Sequence, residues 1–113
     1  MNDPTAFSIA TAERNGRLVV VPRGELDLAT APELEDLVLD GLTGGKAVTL
    51  DLRELQFMDS SGVRVLIAAH AKASDGGLDL ELVRPPRGGP VDRILEISGV
   101  EDALGMVDES TAG

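Results

Sequence analysis

Two segments of the chain alternate between hydrophobic and polar residues with period two, which predicts β-strands. In residues 47–52 the apolar side chains share one face, and residues 78–82 repeat this pattern. Parallel strands covered by helices on both faces are apolar throughout, so the alternation predicts helices on one face of a sheet and water on the other. The polar residues expected to face water in the first segment are Thr49 and Asp51.

A β-hairpin is predicted at the start of the chain. Residues 7–13 and 17–21 favour β-structure, and they are separated by Arg14-Asn15-Gly16. Asn-Gly readily adopts the positive φ angles of a tight hairpin turn, so these two strands should pair antiparallel. A short last strand is expected near the other end, at residues 103–107.

Apolar residues spaced three and four apart predict a first helix from Ala31. Thr30-Ala31-Pro32-Glu33 has capping-box spacing with a proline in the first turn, both typical of a helix start. Glycines end the helix between Gly41 and Gly45. Its inward stripe is Leu34, Leu37, Val38 and Leu42, and its acidic outer side is Glu33, Glu35, Asp36 and Asp40.

Two further helices are predicted at residues 60–74 and at about 90–97. Asp75-Gly76-Gly77 follows the first of these, as glycine often follows the end of a helix. The apolar stripe expected in the first is Val63, Leu66, Ile67, His70 and Ala71. The residues expected to point inward in the second are Val91, Ile94 and Leu95.

The predicted order is β-β-α-β-α-β-α-β. Strand–helix–strand connections are almost always right-handed, so the chain should form an α/β fold: a mainly parallel sheet wound with its helices as a βα superhelix. An N-terminal hairpin begins it, and the helices lie mostly on one face. Loops after parallel strands emerge at the same edge, which should bring Asp27 near Ser60.

Composition limits what the chain can do. Its 113 residues fit a single domain with an ordered core at about 7–107 and a short flexible tail at 108–113. With no cysteine and one histidine it offers no disulfide, thiol nucleophile, Cys-bearing zinc site or multi-histidine metal cluster, so we expect no metal and no cofactor. The oligomeric state is left open between a monomer and a weak dimer.

Charge and hydropathy argue against two classes of partner. The formal net charge is −10 and only 2% of the residues are aromatic, which disfavours nucleic acid. No apolar stretch approaches the ~18–20 residues that span a bilayer, and Met1-Asn2-Asp3-Pro4 has no basic-then-apolar secretory pattern. We therefore expect a cytoplasmic protein that binds neither nucleic acid nor membrane.

Two spaced motifs resemble those of a known family. Gly24-Glu25-Leu26-Asp27, followed by Thr30 and Pro32, and then Asp59-Ser60-Ser61-Gly62 are similar to segments of the STAS-domain anti-sigma factor antagonists. The resemblance extends over residues 7–107 and includes the segment at 90–100. Many members of the family carry a further helix at the C-terminus, where this chain has only residues 108–113.

The resemblance implies a function and its partners. Antagonists of this family bind an anti-sigma factor, often itself a serine-protein kinase, and so release a sigma factor, for example in stress response or sporulation. The kinase phosphorylates a serine, and a PP2C-type phosphatase restores the active form. Residue by residue, the phosphorylated position falls on Ser60, with Ser61 as the second candidate. The implied partner-binding residues are Glu25, Asp27, Thr30, Asp59, Ser60, Ser61, Gly62 and Arg64.

The chemistry of a phosphorylation switch is reasonable at Ser60. A phosphate at a helix N-terminus faces unpaired backbone N–H groups that favour an anion. It also adds about −1.5 to −2 charge beside Asp27 and Asp59, which a docked partner would have to desolvate or repel. The switch would then act at the interface itself.

Simpler interpretations compete with the switch. Ser60 can be a plain helix N-cap, Asp27 a turn residue and His70 a histidine packed at the edge of the core. An enzyme would need Ser60 or Ser61 as nucleophile with His70 as base, but His70 is about 15 Å along the helix axis from Ser60, and Gly-x-Ser-x-Gly is absent. A non-switching STAS adaptor of a transporter or signalling assembly is the alternative function.

Overall fold

The predicted hairpin begins the sheet in a computed structural model, which describes residues 6–111. Strands β1 (Ser8–Arg14) and β2 (Arg17–Leu26) pair antiparallel around a turn at Asn15 and Gly16, whose φ angles are 52° and 77°. Positive φ at both central residues is the type I′ geometry that suits the twist of a hairpin. The hairpin prediction is confirmed, and β2 runs five residues further than predicted.

The rest of the sheet is parallel, with the strand order β1-β2-β3-β5. Strand β3 (Ala47–Asp51) pairs with β2 on one side and with β5 (Leu80–Val83) on the other. A further strand, β4 (Leu55–Met58), pairs with the C-terminal end of β2, beyond the part that β3 occupies. The mainly parallel α/β fold is confirmed, with β4 as an unpredicted strand.

Four helices complete the fold. They are α1 (Ala31–Thr43), α2 (Ser60–Gly76), α3 (Pro90–Ser98) and α4 (Glu101–Leu104). Gly41, expected at the end of α1, lies inside it, and α2 continues through Gly76 to a left-handed cap at Gly77. Among residues 6–111, no helix has the length and apolar character that crossing a membrane requires.

The inward face of α2 differs from the predicted stripe. Ile67 is 46% exposed and Ala71 is also exposed, although both were expected to point inward. The prediction followed the larger side chains, whereas α2 packs closely on α1 and the sheet through several small ones. The buried residues of α2 are Gly62, Val63, Val65, Leu66, Ala69 and Ala73.

The predicted last strand at residues 103–107 is wrong. Ala103 lies in α4, Gly105 turns the chain with φ 59°, and only Val107 reaches the sheet, as an isolated parallel bridge to Val83. Leu104 and Met106 are buried in the core on either side of that turn. Burial of these two side chains thus decides the local structure.

The sheet face opposite the core is polar but closed by its own side chains. Thr49 is fully buried because its hydroxyl accepts a 2.8 Å hydrogen bond from Arg17 Nε and donates one of 3.1 Å to Glu81 Oε1. Asp51 is also buried, so the prediction that these two residues face water is wrong. In the expected tail, Ser110 Oγ donates to Glu81 Oε1 at 2.8 Å, while residues 112–113 lie outside the described chain.

Candidate functional site

Two turns meet where β2 and β4 end side by side. Leu26 is opposite Met58 in the parallel register, and the amide of Asp59 donates a 3.1 Å hydrogen bond to the carbonyl of Leu26. Asp27 and Asp59 therefore follow neighbouring strand ends. The fold brings the two sequence motifs together at this edge, although Gly24–Leu26 belongs to β2 and not to the predicted loop.

The first turn is held by Asp27 and Thr30. Asp27 Oδ1 accepts hydrogen bonds from the amides of Ala29 and Thr30, at 3.0 and 3.2 Å. The Thr30 hydroxyl accepts from the amide of Asp27 and donates to the carbonyl of Glu25, both at 2.9 Å. Because that hydroxyl is already engaged, Thr30 provides no side-chain cap for α1, and the predicted capping box does not form.

The second turn places Ser60 at the surface. Asp59 is the N-cap of α2, and its Oδ1 accepts a 2.8 Å hydrogen bond from the amide of Ser61. Ser60 is the first helical residue, so the interpretation of Ser60 as the N-cap is wrong. Its side chain is exposed, and its hydroxyl makes no hydrogen bond to any group among residues 6–111.

Gly62 is buried beneath the first turn of α2. A Cβ atom there would lie 2.4 Å from Met58 Cγ and 2.9 Å from Leu26 Cδ2, well inside van der Waals contact. The absence of a side chain lets α2 approach the ends of β2 and β4. Gly62 thus positions the site from below, whereas Arg64, two residues further along α2, is exposed.

Exposed apolar side chains lie around the two turns. Leu28 is 76% exposed and Ile97 is 74% exposed. A groove of about 470 Å³ lies between Ser60 and α3, and its lining includes Phe57, Arg93 and Ile97. None of these apolar residues was predicted as part of the site, although Leu28 directly follows Asp27 and Phe57 lies two residues before Asp59.

A smaller groove lies on the other side of the first turn of α2. Its lining includes Ser61, which is half-buried, together with Leu28, Glu35 and Arg64. Of the two candidate serines, Ser60 is the more accessible.

Two carboxylates with shifted pKa values, Asp51 and Glu81, lie on the sheet face opposite the core. Burial raises the pKa of Asp51, but hydrogen bonds and the charge of Arg53 outweigh burial, so the net pKa is lowered. Burial also raises the pKa of Glu81, but hydrogen bonds from Ser110, Thr111 and Thr49 outweigh burial, so its net pKa is lowered as well. These two carboxylates are therefore engaged by groups of the same fold.

The remaining sequence candidates offer no catalytic centre. His70 is half-buried on α2, ten residues after Ser60, which corresponds to about 15 Å along the helix axis. In the described part of the chain, no three His, Asp or Glu side chains are grouped so that they could hold a metal ion. The geometry around Ser60 is that of an accessible hydroxyl beside exposed apolar side chains.

Comparison with known proteins identifies the family. Its sequence model, described as "Mlab, STAS domain", matches residues 9–108. The chain is 28% identical over 102 residues to the anti-sigma-F factor antagonist RsfB of Mycobacterium tuberculosis, covering 89% of this chain and 81% of that protein.

Solved structures share the fold. The crystal structure of an anti-sigma factor antagonist from Mycobacterium paratuberculosis superimposes with a TM-score of 0.81 at 24% identity, covering 96% of this chain and 92% of that one. Unphosphorylated SpoIIAA, also an anti-sigma factor antagonist, superimposes with a TM-score of 0.71 at 22% identity, covering 94% and 90%. With the family match spanning most of its length, the chain belongs to the STAS-domain family.

Proposed function

We propose that the protein is an anti-sigma factor antagonist that binds an anti-sigma factor through the surface around Ser60. Binding would release a sigma factor in the cytoplasm, and phosphorylation of Ser60 would prevent binding. The name of its relative RsfB supports the antagonist role. The observation that carries the switch is the exposed Ser60 hydroxyl, which makes no hydrogen bond to a described residue, at the rim of an apolar groove.

The exposed apolar side chains explain how an acidic protein could bind its partner. Leu28 and Ile97 can each bury surface in a complex, which is the main favourable contribution in most protein interfaces. Ser60 lies next to the groove that contains Ile97. A partner that covers these residues would also cover the Ser60 hydroxyl.

A phosphate on Ser60 would act against such a complex through desolvation and repulsion. It adds about −1.5 to −2 charge beside Asp59, at an edge that also carries Asp27. A 100- to 1,000-fold loss of affinity corresponds to about 2.7–4 kcal/mol, which one buried, unpaired charge can supply. The fold need not change, because α2 is fixed by the Asp59 cap and the close contact at Gly62.

The kinase, ATP and phosphatase would all be external to this chain. The anti-sigma factor would itself be the serine-protein kinase and would bring the ATP, and a PP2C-type phosphatase would remove the phosphate. Ser60 is favoured over Ser61 as the modified residue because Ser60 is exposed, whereas Ser61 is half-buried beside Glu35 and Arg64. On this proposal the chain is a binding protein and not an enzyme.

The test compares three forms of the protein in a pull-down, with mass spectrometry of partners and phosphosites. Wild type and Ser60→Ala should both retain a histidine-kinase-like ATPase, and Ser60→Asp should lose it. Ser61→Ala is the matched control, and it should leave both binding and kinase-dependent release intact. Tight binding of the ATPase by Ser60→Asp would contradict the switch. Equal recovery of a transporter subunit with all variants would favour a non-switching adaptor.

A further inference from the structure

Two arginines lie near Ser60: Arg64 is on the same helix and lines the smaller groove beside Ser61, and Arg93 lies across the larger groove. Arg64 is four residues further along α2, and residues at this spacing lie on the same helix face with Cβ atoms about 5–6 Å apart. Arg93, on α3, lines the groove that also contains Ser60. Both side chains are exposed, and neither forms an ion pair with a described residue.

Most other cations of the described chain are already paired. Arg17 binds Asp79 through two of its guanidinium nitrogens, at 2.8 and 3.0 Å, and Lys46 binds Glu13 at 2.9 Å. The remaining paired cations are Arg23, Arg53, Arg84 and Arg87. Arg14 and Lys72 also form no ion pair within residues 6–111, but Arg93 shares a groove with Ser60 and Arg64 lies one helical turn from it.

We propose that Arg64 and Arg93 form an arginine clamp that binds the phosphate on Ser60 from within the same molecule. The clamp rests on the proposed function, because it requires phosphorylation at Ser60. Guanidinium groups match the geometry of phosphate oxygens and form charge-assisted hydrogen bonds with them. The two arginines approach from different elements, one along α2 and one across the groove from α3.

The arginine clamp gives the phosphate a second effect on binding. In the unmodified protein, Arg64 and Arg93 are free to contact acidic groups of the anti-sigma factor. In the modified protein the same guanidinium groups are occupied by the phosphate. Phosphorylation would thus withdraw two donors from the interface, and the loss of affinity would come from these lost contacts and from desolvation of the paired phosphate, not from an unpaired charge.

The experiment is a ³¹P NMR titration of protein carrying phosphoserine at position 60, installed during translation. Phosphoserine loses its second proton at about pH 6. Nearby cations favour the dianion, so they lower the pH at the midpoint of this titration. Arg64→Gln and Arg93→Gln should each raise the midpoint by about half a pH unit, and the double variant by about one. Asp27, Asp59 and Glu35 act in the opposite sense but are the same in every form.

Lys72→Gln is the matched control. It also removes one exposed positive charge from α2, but this charge lies about 18 Å from Ser60 along the helix axis. Its titration should coincide with that of the phosphorylated wild type. A midpoint that moves for neither arginine, or for only one of them, overturns the clamp. Because this titration uses neither kinase nor anti-sigma factor, its result is independent of the pull-down that tests the proposed function.

Discussion

The carbonyl of Leu26 accepts a 3.1 Å hydrogen bond from the amide of Asp59. This bond joins the end of β2 to the start of α2, across a sequence separation of more than thirty residues. Leu26 is fully buried, and its strand partner Met58 is nearly so. The sheet therefore fixes the spacing between the two turns that carry Asp27 and Ser60.

Replacing Gly62 by alanine should destabilise the protein. The added methyl group would lie 2.4 Å from Met58 Cγ, in a region where both neighbouring side chains are buried. Overpacking of this kind costs about 1–3 kcal/mol, which chemical denaturation with urea will measure. Gly89→Ala is the comparison variant: its nearest contact would be an ordinary 3.4 Å, so only the poorer N-cap that alanine gives α3, worth less than about 1 kcal/mol, should lower its stability. Equal stability of the two variants would contradict the close packing under α2.

Substitution of Asp59 should separate its capping role from its charge. Asp59→Ala removes the acceptor for the Ser61 amide and should lower the free energy of unfolding by about 0.5–2 kcal/mol. Asp59→Asn retains a capping oxygen and should stay close to wild type. Thermal denaturation of both proteins checks this, and an equal loss in the two would indicate that the charge, not the hydrogen bond, holds the turn.

Leu28→Ser should weaken binding of the anti-sigma factor without affecting the fold. The side chain is 76% exposed, so its loss should change the free energy of unfolding by at most about 0.5 kcal/mol. Full burial of a leucine side chain is worth about 1.5–3 kcal/mol, so the loss of it from a complex that covers Leu28 should lower the affinity by roughly tenfold or more. Calorimetric titration measures this, with Leu28→Met as the variant that keeps the apolar surface. Unchanged affinity in Leu28→Ser would place Leu28 outside the interface.

Stability should depend on pH through Glu81. Burial raises the pKa of Glu81, but hydrogen bonds from Ser110, Thr111 and Thr49 lower it by a larger amount. The pKa in the folded protein therefore lies below its ordinary value. Such a carboxylate stabilises the fold fully above its ordinary pKa, and this contribution is lost as the pH falls through the lower, folded value. The free energy of unfolding of the wild type should therefore fall with acidification below about pH 4.5.

Glu81→Gln should make that decrease shallower in urea denaturation series at different pH values. Ser110→Ala removes one of the three hydrogen-bonding partners and should give part of the same change. A Glu81→Gln profile parallel to that of the wild type would mean that Asp51, whose pKa is also lowered, accounts for the acid sensitivity.

Local sequence signals predicted the elements whose structure is decided locally. Asn15-Gly16 gives the hairpin turn, and the apolar spacing from Ala31 gives α1. Strand β4 has only four residues and forms by pairing with β2, so nothing in its own pattern reveals it. Thr49 looked solvent-facing because its covering group, Arg17, is 32 residues away in the chain.

The family resemblance named the motif residues of the candidate site, but it did not name the residues that surround them. Asp27 and Asp59 were identified by resemblance, and the structure adds that their side chains bond to backbone amides of their own turns. Leu28 and Ile97 carry no motif. Their exposure depends on where α1 and α3 lie relative to the sheet, which single-sequence periodicity does not specify.

The position of Ser60 at the start of α2 limits how any kinase can recognise it. The serine is presented by a helix whose first turn is held by Asp59 and by packing of Gly62 on Leu26 and Met58. An isolated peptide with the sequence of α2, which has 17 residues, would be largely unfolded in water. A kinase acting on Ser60 would therefore recognise a conformational epitope assembled from distant segments, and a linear peptide spanning the serine would be a poor substrate.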